Sequence, residues 1–117
     1  MNTQYNPGHT ITRIASAPVG EYRFVTAGGA QAGAGAAAIG VSLTAAAAAG
    51  ASLTVVTGGT APVIAGAAIN AGDPVTSDAE GRAVPAATGN VINGVALEAA
   101  ALGEPVEVLI GAPAAKA

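Results

Sequence analysis

From Phe24 to Gly72 the chain carries no Asp, Glu, Lys or Arg. An uncharged stretch of that length, built mainly of Ala, Gly, Thr and Val, gives solvent few anchors and an active site few groups to work with. Such a stretch is expected to be covered, by symmetric copies of the chain or by a large partner. The remaining charges are uneven: six of the seven acids lie from Asp73 onward, with two bases. Burying an unpaired charge is costly. The charge-free half is therefore expected to supply the main contact surface and the acidic half to face more solvent.

The chain has 117 residues, enough for one small domain. Its apolar fraction of 51% is mostly alanine, with one Phe, two Tyr and no Trp. Alanine buries little area, and burial stabilises by roughly 25 cal/mol per Å². A lone monomer should be modestly stable, and a partner interface would add what the core lacks. Four scattered bases at Arg13, Arg23, Arg82 and Lys116 make no basic footprint, which argues against nucleic acid as a partner. The absence of cysteine excludes disulfides and thiolate metal sites. The opening MNTQYNPGHTITR lacks the basic and apolar segments of a signal peptide. Apolar runs such as 61–69 fall short of the ~18 residues a membrane helix needs. A soluble protein that is not exported by the usual route is expected.

A duplication organises the middle of the chain. Phe24-Val25-Thr26 aligns with Pro74-Val75-Thr76, residues 39–43 with 93–97, and residues 50–56 with 103–109. Each half reads as a short strand, a Gly-rich turn, a Gly-Val strand, an Ala-rich turn and an aliphatic strand. The expected organisation is an extended arm over 1–20 and a single all-β, sandwich- or barrel-like domain over 21–111. Its quasi-repeats fall near 21–60 and 70–111, and 112–117 form a tail. Leu53–Thr57 and Val106–Ile110 are strand-like, being β-branched and bounded by glycine; Tyr22–Thr26 alternates as a half-buried strand does. The 78–82 and 57–60 segments read as turns, and Asp73-Pro74 starts a strand. In the arm, 5–9 reads as a turn and 10–14 as a short strand. Alanine favours helix, but the run 44–50 is too short to hold one alone and reads as a connecting turn.

No segment carries convincing chemistry. Residues 33–38 match a dinucleotide glycine pattern, yet no acid follows within ~20 residues to hold a ribose, and a strand follows where a helix is needed. His9, the only histidine, lies in the arm, a poor place to hold catalytic geometry. Asp73, Asp78 and Glu80 are spaced unlike a calcium loop. A lipoyl-type carrier needs a lysine at a hairpin tip, and the only lysine is Lys116 in the tail. No enzyme, cofactor or metal site is expected.

Residues 5–10, the phrase 71–83, and the closing segments 94–100 and 104–108 together resemble the capsid decoration (cement) proteins of tailed bacteriophages. That resemblance covers nearly the whole chain. It implies a β-rich fold, no catalysis, and docking on the outer surface of a phage capsid, where the major capsid protein is the partner and trimers are favoured. It also implies a stabilising role, built from many weak contacts at symmetric sites. Tyr5, His9, Arg13, Tyr22 and Phe24 are the expected capsid or oligomer contacts. The rival reading is a β-rich adhesion or carbohydrate-binding module, for which two Tyr and one Phe make a poor aromatic platform.

Overall fold

The computed structural model describes residues 7–110, so Tyr5 and the tail lie outside it. Eight strands and no helix make up these residues: β1 (Pro7–Ile14), β2 (Phe24–Val25), β3 (Gly40–Ser42), β4 (Ser52–Ile64), β5 (Pro74–Ser77), β6 (Ala83–Pro85), β7 (Gly94–Ala96) and β8 (Pro105–Ile110). They form one sheet in the order β2-β3-β4-β8-β7-β5-β6, with β1 on the other side of β4. A bridge from Ala65 to Ala83 brings β6 back to the end of β4. The second half therefore curls into a small barrel, and the all-β expectation holds. The alanine run 44–50 is turn and bend, with no helix.

β4 is the spine. Its first part pairs with β3 and β1, and its second part, from Thr60 to Ile64, pairs with β8. The expected turn at 57–60 is instead continuous strand. Gly59 takes φ 77 there, a left-handed conformation that glycine adopts without steric cost. The strand swivels at that point and passes from one half to the other without reversing. β1 likewise exceeds its expected length. Pro7 to His9, read as part of a turn, are strand, because the long edge of β4 offers partners from Gly59 back to Ser52. By contrast, the expected strand Tyr22–Thr26 shrinks to Phe24–Val25, since Tyr22 sits at φ 59 in the turn before it.

The hydrogen bonds of the two halves run in parallel. Val19 and Ala46 exchange backbone bonds of 2.9 Å each; Ile69 and Ala100 do the same at 2.9 and 3.0 Å. Ile39 N–H donates to Val25 O at 2.8 Å, and Asn93 N–H to Val75 O at 2.9 Å. Phe24 lies opposite Val41 and Val41 opposite Val56; Pro74 lies opposite Val95 and Val95 opposite Leu109.

Packing separates the halves. Phe24, Val41 and Val56 face the main core, which they share with Val75, Ala96, Val106 and Val108. Val25, Leu53 and Val55 point the other way, into a second core with Ala15, Val19 and Ala46. Strands β2 to β4 are thus buried on both faces. This double burial gives a reason, within one chain, for the missing charges on those strands, while loop residues such as Ala34 and those at 47–50 are exposed.

Candidate functional site

Side-chain bonds tie the two halves together. Ser77 Oγ donates to Ala32 O at 3.1 Å. Buried Asn93 accepts from Ala38 N–H at 3.1 Å and donates to Ala36 O at 3.0 Å, pinning the glycine-rich loop beside β7. That loop runs on into strand β3, so a helix N-terminus for a dinucleotide is lacking at this place.

The 78–82 turn is a second clasp. Asp78 Oδ1 accepts from the Glu80 and Arg82 backbone N–H groups at 2.8 Å each, and Oδ2 holds Arg82 Nε at 2.7 Å. Phe24 N–H donates to Gly81 O at 2.7 Å, and Arg23 reaches Glu80 O at 3.1 Å. Burial pushes the Asp78 carboxyl up. The two backbone bonds and the Arg82 guanidinium outweigh that and hold it below the usual range. Asp78 is therefore occupied with structure. No group of His, Cys, Asp and Glu able to hold a metal exists among the described residues, and no helix is long and apolar enough to cross a membrane.

The expected contact residues divide. His9 and Arg13 are exposed on β1. His9 Nδ1 lies 2.9 Å from Thr57 Oγ1, and Arg13 donates to Ala27 O at 2.9 Å. Tyr22 is half-buried. Phe24 is 1% exposed and belongs to the main core, so in the monomer it holds the fold and offers no surface. Tyr5 lies outside the described residues.

Sequence reasoning missed a patch on the second half. Val95, Leu97 and Leu109 are 36%, 45% and 48% exposed. Val95 and Leu109 are register partners, and Leu97 N–H donates to the carbonyl of Glu107, which precedes Leu109 by two. Alternation was the available signal: Val95 and Leu97 flank Ala96, and Leu109 follows Val108, the two buried residues pointing inward. Read linearly, 94–97 and 108–110 are simply apolar, and the outward members are hidden among inward ones.

What these features define is a protein of surfaces: an all-β body with clasped halves, exposed apolar strand residues and no assembled reactive groups among the described residues. The phage cement protein family model matches residues 5–111. The chain belongs to that family and is a structural protein of the phage head. Its fold is similar to a crystal structure of the head fiber gp8.5 N base in bacteriophage phi29, with a TM-score of 0.74 and 24% identity over 88% of this chain and 93% of that one. No curated protein matches the chain.

Proposed function

We propose that the protein binds the outer surface of a tailed-phage capsid and stabilises the shell by bridging neighbouring subunits of the major capsid protein. Membership of the cement family over residues 5–111 is the observation that carries this reading. The fold it shares with a head fiber base supports it. The mechanism is avidity: modest contacts, repeated at every symmetric site, add up across the shell. A small body clasped by Asp78, Asn93 and Ser77 loses little conformational freedom on docking, which lowers the cost of each contact. His9 and Arg13, exposed along β1, are suited to reach a capsid subunit or a second copy, and a trimer is the assembly we favour. We read the two halves as quasi-repeats, a view supported by their matching registers.

The test uses expanded shells assembled from the major capsid protein of the same phage. Purified protein is added, and electron cryomicroscopy together with thermal disruption of the shells is recorded. Density at symmetric positions with a raised disruption temperature is the expected result. Undecorated shells with unchanged disruption temperature would remove the proposal.

A further inference from the structure

We infer that the outer face of β7 and β8, formed by Val95, Leu97 and Leu109 around Glu107, with Pro74 at its margin, is the face that docks, and that its partner surface is an apolar ridge flanked by lysine or arginine. This rests on the capsid-binding reading and names the surface and the chemistry of its partner.

The first observation is a matched pair of positions with opposite surroundings. In the first half, Val41 and Val56 are fully buried and Phe24 nearly so, because the main core covers that face. In the second half, Val95, Leu109 and Pro74 hold the same register and are left exposed, Val95 at 36% and Leu109 at 48%. An antiparallel sheet with one face in water normally alternates apolar inward with polar outward. Here Val75, Ala96, Val106 and Val108 point inward while Val95, Leu97 and Leu109 point outward, so the outward positions depart from that pattern. Threonine would satisfy a strand there equally well.

The second observation is the sign of the surrounding charge. Glu107 lies within the patch, its Oε2 accepting from Thr60 Oγ1 at 2.8 Å. Glu98 is directly beyond Leu97, and its Oε2 is 3.4 Å from the Glu107 backbone N–H. Asp73 precedes Pro74 and Glu104 precedes Pro105, so acids flank the patch in sequence on three strands, and no base is among these neighbours. Two copies meeting through this face would set acid against acid. Arg82 is engaged by Asp78, and Arg23 by Glu80 O. That leaves the chain few bases with which to answer this face, and a different, basic-rimmed protein surface complements it.

The experiment measures co-sedimentation with the same capsid shells over a range of salt, and self-association by sedimentation velocity. Val95→Thr/Leu109→Thr should remain folded and bind shells at least about tenfold more weakly. Glu98→Gln/Glu107→Gln should weaken binding less and flatten its salt dependence. Leu97→Lys, at an exposed position that tolerates change, should weaken binding more than Leu97→Gln, and it carries the test should the threonine pair unfold. If wild type binds and all variants bind equally, this face is not the docking face while the capsid reading stands. If the variants abolish self-association and leave shell binding intact, the face belongs to a second copy and the inference is overturned. If wild type does not bind shells, both readings fall together.

Discussion

Val41 lies opposite Val56 and Val95 opposite Leu109, two antiparallel pairings in different halves of one molecule. The first pair is sealed between two cores; the second has one side in the main core and the other in solvent. The backbone pattern thus does not determine a residue's environment: what stacks on the sheet does. Strands β2 to β4, where they are buried on both faces, have no place for a carboxylate, whereas the second half carries Glu107 on its open face and Asp73, Asp78, Glu80, Glu98 and Glu104 in its turns and bends.

The sharpest way to break this contrast is to put one charge at each member of the matched pair. Val56→Asp should abolish folding, because an unpaired buried carboxylate costs several kcal/mol, comparable to the whole stability of a small domain. Leu109→Asp should stay folded, losing about 1 kcal/mol or less. Urea unfolding followed by circular dichroism measures both, and equal tolerance would erase the distinction between the halves.

Next in size is the glycine of the Gly-Val strands. A Cβ on Gly40 would run into the carbonyl of Val56, and one on Gly94 would lie 2.5 Å from the carbonyl of Leu109. Each alanine substitution should cost about 2–4 kcal/mol, by the overpacking that forces backbone to move. Gly40→Ala should cost more, since β3 and β4 are packed on both sides and β7 can shift toward solvent. A reversed order of melting temperatures would show that the outer face is less free than its exposure suggests.

These contrasts also mark what the sequence could and could not reveal. Leu53–Thr57 and Val106–Ile110 were legible as strands because β-branched residues run between glycines. The 78–82 turn was legible because Asp and Gly are placed as turn chemistry requires, and the Ala run was legible as a turn because of its length. Gly58-Gly59 was not: a pair of glycines reads as a reversal, and only the pairing of β4 with different strands on either side shows a swivel. The absence of charge from Phe24 to Gly72 was visible, but its reason was not. Periodicity says that a face is apolar and cannot say whether the cover belongs to the same chain. Phe24, expected as a contact, lies in the core of the monomer for that reason, and Val95 and Leu109 were overlooked for the same one.

The clasp between the halves gives a smaller, pH-dependent effect. Asp78→Ala removes the acceptor for two backbone N–H groups and the partner of Arg82, and should cost about 1–3 kcal/mol near neutral pH. Because the folded carboxyl titrates below its ordinary value of 3.8, its stabilisation is fully present above that value. It fades as the pH falls through the lower folded value. The stability gap between wild type and Asp78→Ala should therefore be flat from neutral pH down to about pH 5 and close in more acid solution. A gap that persists unchanged at pH 2 would mean that the carboxylate charge contributes nothing and that the uncharged side chain holds the turn equally well.

The finest comparison replaces one methyl by one hydroxyl at each matched valine. Val41→Thr buries a hydroxyl in the main core among Phe24, Val56 and Val63, where an unpaired polar group costs about 1–3 kcal/mol. Val95→Thr places the same hydroxyl on the open face, where water satisfies it, and should change stability by no more than about 0.5 kcal/mol. Both residues are β-branched, so strand propensity is held nearly constant and the difference isolates what covers each face. The measurement is repeated with the protein bound to capsid shells. If β7 and β8 become an interface, Val95→Thr should remain silent in the free protein and reduce the stabilisation gained on binding. A Val95→Thr variant that destabilises the free monomer as much as Val41→Thr would mean that the second half is already covered by its own chain or by a copy of it, and the contrast between the halves would be lost.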